Sequence, residues 1–166
     1  MSAHLSEKHK MLAGALYDAN DAELQADRAA AEAWMQRYCA ALACSHAERH
    51  LLLREILGEV GDGAVIRPPF HCDYGYNIRL GPGAFLNFNC VVLDVVAVTI
   101  GAGTQIGPAV QIYAADHPRD AAKRRAGFLE VLVATRPDDQ AGAKAASGHR
   151  PGVVLRQRCI HLSLPR

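Results

Sequence analysis

Val60-Gly61-Asp62-Gly63-Ala64-Val65-Ile66, Leu80-Gly81-Pro82-Gly83-Ala84-Phe85-Leu86 and Ile100-Gly101-Ala102-Gly103-Thr104-Gln105-Ile106 are one pattern written three times. An aliphatic residue, two glycines and a second aliphatic residue recur every 20 positions, and the match reaches back to Ile78 and Val98. A fixed period of this size predicts a solenoid, in which each repeat is one coil that buries its apolar side against the next. Within the period the steps are shorter: Ile100-Gly101, Ile106-Gly107 and Ile112 lie six residues apart. Such steps suit a triangular parallel β-helix, with one strand and one turn per side and a small residue at the bend. Three steps make about 18 residues, so a 20-residue spacing implies a two-residue excess in each of the first two coils. The runs Cys90 to Leu93, Val95 to Ile100 and Val110 to Tyr113 fit the short strands between these turns.

Outward from the repeat, residues 6 to 58 read as helical. Ser6 caps a short helix that Gly14 ends. Asn20 and Glu23 have capping-box spacing ahead of a stretch to about Leu42, whose stripe is Leu24, Ala31, Trp34, Met35 and Tyr38. Ser45 and Glu48 repeat the box spacing before Leu51, Leu52, Ile56 and Leu57, with Gly58 as the stop. These helices are expected to cover one open end of the solenoid. The division is therefore 1–58 helical, 59–127 coils with a catalytic loop, and 128–166 a divergent tail expected to be disordered, since no Ile-Gly step recurs in it.

Bulk properties exclude several classes. The chain has 166 residues, a formal net charge of +1 and half its residues apolar, so nothing points to a nucleic-acid surface. Neither a signal-peptide core nor a run of membrane-spanning length occurs, which makes the cytoplasm the default location. The five cysteines, Cys39, Cys44, Cys72, Cys90 and Cys159, show no CxxC spacing and are expected as free thiols. His46 and His50 have helical metal-ligand spacing, but their order is not HExxH and no third ligand is evident. In His71-Cys72-Asp73 alternate strand residues face opposite ways, so no metal site is expected.

Four features carry candidate chemistry. Asp116-His117-Pro118 follows the last clear strand, and an imidazole there suits a general base near neutral pH. Asn87, Asn89 and Asp94 are polar where coils should be apolar. Two readings of them stand side by side: corner supports bonded to backbone, or acceptors for sugar hydroxyls. Asp18 and Arg28 read by themselves as surface charges.

Together these residues resemble the maltose and galactoside O-acetyltransferases of the hexapeptide-repeat acyltransferase superfamily. The likeness spans residues 7 to about 127. It rests on Glu7-Lys8-His9-Lys10-Met11-Leu12-Ala13-Gly14, Tyr17-Asp18-Ala19-Asn20-Asp21, Pro68-Pro69-Phe70-His71-Cys72-Asp73-Tyr74-Gly75-Tyr76-Asn77-Ile78, Asn87-Phe88-Asn89-Cys90, Leu93-Asp94-Val95 and His117-Pro118. The resemblance implies a mainly β fold, a left-handed parallel β-helix with an N-terminal helical region, assembled as a homotrimer with active sites between neighbours. It implies acetyl-CoA as donor, no metal, a maltose-, glucose- or galactoside-type acceptor, His117 as catalytic base, and acceptor contacts from Asn87, Asp94, Asp18 and Arg28. Another sugar, a lipo-oligosaccharide or a xenobiotic hydroxyl is an open choice of acceptor.

After Arg125-Ala126-Gly127 the family returns to further Ile-Gly coils with a Val-Trp-Ile-Gly segment, and these supply much of the CoA groove. Here the only tryptophan is Trp34. CoA-binding residues are therefore unassigned, and a changed reading frame or replaced C-terminus is expected, to be read from DNA around codons 120 to 130. The alternative function is an inactive, truncated or frame-shifted β-helix protein, or a binding module. A metal hydratase on the same scaffold lacks the necessary histidines.

Overall fold

A computed structural model describes residues 5–116, 119–125, 128–131 and 152–155. Helix α1 (Glu7–Leu12) starts at Ser6, whose hydroxyl accepts from the His9 N–H at 3.2 Å. Strand β1 (Tyr17–Asp18) leads to α2 (Ala22–Ala40) and α3 (His46–Arg54). Ser45 and Glu48 close the expected capping box reciprocally ahead of α3. The expected box at Asn20 and Glu23 is not formed. Asp21 caps α2 by accepting from the Glu23 N–H at 3.0 Å, because Asn20 is turned back onto the Asp18 carboxylate. Helix α3 ends at Arg54, short of Gly58. Gly58 is required for another reason: a Cβ there would lie 2.4 Å from the Tyr76 carbonyl oxygen.

The stripe on α2 is the face laid on the solenoid. Trp34 stacks on Tyr38 with centroids 4.8 Å apart and donates its indole N–H to the Leu52 carbonyl at 2.7 Å, tying α2 to α3. The Tyr38 hydroxyl donates to the Ile66 carbonyl at 2.6 Å, and the Cys72 N–H meets the Met35 sulfur at 3.2 Å. Helices thus cover the first coil.

That coil is β2 (Glu59–Val60), β3 (Val65–Ile66) and β4 (Phe70–Cys72); the second is β5 (Ile78–Leu80), β6 (Phe85–Leu86) and β7 (Cys90–Leu93); the third is β8 (Ala97–Ile100), β9 (Gln105–Ile106) and β10 (Gln111–Tyr113). Successive coils stack in parallel as β2-β5-β8, β3-β6-β9 and β4-β7-β10. Every pairing has the register of the sequence period: Glu59 opposite Arg79, Val65 opposite Phe85, Cys90 opposite Phe70, Ile78 opposite Val98, Val91 opposite Gln111. Ile66, Leu86 and Ile106 stack inside one side, and Cys72, Val92 and Ile112 inside the next. Leu80, Leu86, Val92 and Ile100 are all buried, in steps of six, six and eight. The two extra residues therefore belong to the third corner, between β4 and β5 and again between β7 and β8.

The corner before the third side is a tight left-handed turn in the second and third coils. Asn89 has φ 61° and Ala109, one repeat on, has φ 57°. Asparagine tolerates this region but alanine does not. Ala109→Gly is therefore expected to stabilise the protein by about 1 kcal/mol. An unchanged urea midpoint would contradict the strained turn.

Beyond β10 the chain leaves the coil. Strand β11 (Ala115–Asp116) and helix α4 (Ala121–Arg125) precede β12 (Phe128–Val131), which pairs antiparallel with both β11 and β1. Strand β13 (Gly152–Leu155) lies parallel on β8, Gly152 opposite Ala97. Both β12 and β13 fall in the divergent tail, where these two segments are strands. The physical reason is available pairing: β1, β11 and the outer edge of β8 each present free backbone groups, and both runs are rich in residues that favour strands. The rest of the tail, with Cys159, lies outside the described residues.

Candidate active site

The longer third corner is built on Asp94. Its carboxylate is completely buried and accepts three backbone N–H bonds, from Asp73 (3.0 Å) and Tyr74 (2.9 Å) on one oxygen and Asn77 (3.3 Å) on the other. The Asn77 side-chain amide donates back to the Asp94 carbonyl at 2.7 Å. A carboxylate so enclosed has no surface on which a sugar can land. Of the two readings open in the sequence, these bonds to backbone N–H groups are those of the corner support. Burial pushes the Asp94 carboxyl up to about 7, with neighbouring Asp73 adding to the rise, against the lowering by the Tyr74 and Asn77 N–H groups.

The sign of the consequence follows. An unfolded aspartate releases its proton near pH 3.9, so between about pH 4 and 7 the native state binds more protons than the unfolded one. Stability from this group is full below about pH 4 and is lost as pH rises through 7. From pH 4 to 8 the wild type should lose on the order of 3 kcal/mol more than Asp94→Asn. Urea midpoints at the two pH values measure this, and parallel losses in both proteins would refute it.

Against this corner lie Arg28 and β1. The Arg28 guanidinium carbon is 5.7 Å from the Tyr74 ring centre. Among the described residues, the Arg28 Nε and the hydroxyls of Tyr17 and Tyr74 are buried without a hydrogen-bond partner. Burial raises both tyrosines above the ordinary phenol range. Burial also raises Asp73, while Arg28 opposes it. Tyr17, Asp73, Tyr74 and Asn77 went unremarked individually as site residues. The eight-residue step through the Cys-Asp-Tyr-Gly-Tyr-Asn run was the available signal.

Asp18 follows Tyr17 on β1. Its N–H donates to Glu7 at 2.8 Å, and one carboxylate oxygen accepts from the Asn20 N–H at 2.9 Å and the Asn20 side-chain amide at 3.1 Å. On β12, Asp18 is paired with Phe128 and Asp116 with Glu130. The small sheet thus carries the residue just ahead of His117 to within roughly 12 Å of Asp18, backbone to backbone. His117 itself lies outside the described residues. Asn87 is at a different corner, with strand β7 between it and Asp94. Its side-chain oxygen accepts from Arg67 (3.2 Å) and from the Phe88 N–H (2.9 Å), which leaves the amide N–H groups for a ligand. Within one chain, Arg28 and Asp94 meet through Tyr74, Asp18 stands beside Tyr17, and Asn87 is apart.

Cys39, Cys44, Cys72 and Cys90 are free thiols. Burial raises Cys72 and Cys90, which makes poor nucleophiles of both. Among the described residues no group of three His, Cys, Asp or Glu side chains is arranged to hold a metal ion, and no helix is long and apolar enough to cross a membrane.

Three-sided coils behind a helical cap, with a polar corner beside an excursion from the third coil, have the architecture of hexapeptide-repeat acyltransferases. A family profile described as the maltose acetyltransferase hexapeptide capping motif matches residues 10–61. Nodulation protein L of Rhizobium meliloti (strain 1021) is 64% identical over 123 residues, 74% of this chain and 67% of the relative. The maltose O-acetyltransferase structure from Clostridium difficile 630 shares 36% identity with a TM-score of 0.74, covering 78% of this chain and 69% of that one. A hexapeptide-repeat acetyltransferase from Vibrio cholerae O1 biovar eltor, complexed with acetyl coenzyme A, shares 38% identity with a TM-score of 0.68 over 76% of this chain and 68% of that one. The chain belongs to the maltose/galactoside O-acetyltransferase family, and its coils form a left-handed parallel β-helix. It spans about two thirds of the length of these relatives.

Proposed function

We propose that this chain transfers an acetyl group from acetyl-CoA to a hydroxyl of a maltose-, glucose- or galactoside-type sugar, as a cytoplasmic homotrimer. The observation that carries this reading is the match, over about three quarters of the chain, to a maltose O-acetyltransferase and to a hexapeptide-repeat acetyltransferase complexed with acetyl coenzyme A. His117 takes the proton from the sugar hydroxyl as that oxygen bonds to the thioester carbonyl carbon. The tetrahedral oxyanion, held by an N–H donor, collapses with cleavage of the carbon–sulfur bond. The departing CoA thiolate takes the proton from His117, so no protein group is acylated. Asn87, Asp18 and Arg28 hold the sugar; the separation of Asn87 from the other two within one chain suits a site shared between subunits. CoA-binding residues remain unassigned.

A second reading, a non-catalytic β-helix fragment or binding module, is favoured by β13. It lies on β8 at a register of 55 residues, Gly152 against Ala97, where the repeat would place a strand 20 residues on. The test is release of free CoA thiol from acetyl-CoA with maltose and with a galactoside. Sugar-dependent release supports the enzyme. Folded protein without release supports the second reading.

A further inference from the structure

We propose that Asp94 is a positioning residue of the acceptor site: by clamping the 73–77 corner it fixes Tyr74, and through Tyr74 the Arg28 side chain, without touching the acceptor. The proposal rests on the reading of Arg28 as an acceptor contact. Residues 73–77 join β4 to β5, and the three N–H groups of this corner named above converge on the one carboxylate. Asp94 occupies the repeat position of Tyr74, one coil on, so the clamp links successive coils. It is not a general need of the solenoid, since the next equivalent position is a buried Ala114.

The corner grips α2 at two adjacent residues. The Tyr76 hydroxyl donates to Asp27 at 3.1 Å, and the Tyr74 ring lies against Arg28. Asp27 is held in turn by Lys8 at 2.6 Å, which locks that contact to α1 as well. Arg28 is held from the corner itself: its guanidinium lies against the Tyr74 ring and beside Asp73, and among the described residues its Nε has no hydrogen-bond partner. A shift of the corner therefore moves Arg28 while Asp27 stays anchored.

The experiment uses the full-length ¹⁵N-labelled chain. The Arg28 Nε–H resonance, assigned by its loss in Arg28→Lys, is followed in Asp94→Asn and in Asn77→Ala, which loosens the same corner without altering the carboxylate. The Trp34 indole N–H, bonded to Leu52 far from the corner, is the control. The expected result is a shifted Arg28 resonance that exchanges with water about tenfold faster in Asp94→Asn and less so in Asn77→Ala, with Trp34 unmoved, and maltose affinity weakened in the same order. If Asp94→Asn does not fold, Asn77→Ala alone decides. An unmoved Arg28 signal would overturn the proposal, and if maltose binding were also lost, direct contact by Asp94 would replace it. Failure of the wild type to bind maltose, glucose and a galactoside alike removes the proposed sugar-acceptor reading of this chain, while the Arg28 signal still decides the coupling.

Discussion

Gly81→Ala is expected to cost about 3 kcal/mol or more and to leave little folded protein at 37 °C. A Cβ at this position would lie 2.5 Å from the Ala102 nitrogen and 2.9 Å from both Ala102 Cα and Gly101 carbonyl carbon. All three are backbone atoms of the next coil, held about 4.8 Å away by the parallel ladder. No side-chain rotation relieves the clash. Either the coils part, breaking the Gly81 N–H bond to the Ile100 carbonyl at 2.8 Å, or the corner distorts. Gly83, two residues on, supplies the comparison. Its Cβ would meet nothing within 4 Å, but its φ is +66°, so Gly83→Ala should cost only about 1–2 kcal/mol. Urea unfolding of the two variants separates close approach from conformational freedom. Equal costs would mean that the stacking distance is not the reason for glycine at 81.

This contrast explains what the sequence made legible. A solenoid repeats its backbone, so the steric demand for glycine and the demand for an inward aliphatic recur at one spacing. The period of Val60, Leu80 and Ile100 therefore became the register of all three sheets. Ser45 with Glu48 was equally legible, because a capping box is satisfied within four residues. Longer-range choices were hidden. Asn20 had the spacing to cap α2, but the Asp18 carboxylate one turn away competed for it and Asp21 took the place. The pairing of two-residue β1 with β12 depends on residues more than a hundred positions apart, with no periodicity to announce it. Asp94 shows the sharpest limit. A carboxylate at a polar corner reads alike whether it faces inward or outward; only three converging N–H groups decide. Residue type thus revealed that the corner matters, and the structure assigns Asp94 its place there.

His117→Ala is expected to lower kcat for acetyl transfer by about 10²–10⁴-fold, the usual contribution of a positioned general base. Other groups are poorly suited to replace it. Asp94 is sealed within its corner, and the Cys72 and Cys90 thiols are held protonated by burial. One Asp18 carboxylate oxygen is already engaged by the Asn20 N–H and side-chain amide. The loss should fall on kcat with acceptor KM little changed, because a group that only accepts a proton in the transition state contributes little to ground-state binding. Asn87→Ala should do the reverse, raising acceptor KM more than it lowers kcat. Added imidazole should restore part of the His117→Ala rate if the removed side chain leaves room beside the hydroxyl. The last coil strand ends at Tyr113, ahead of residue 117 in the chain, so the thermal midpoint is expected to match the wild type. A fall of less than tenfold, with folding intact, would put the base elsewhere and break the link between the β1–β12–β11 sheet and the chemistry.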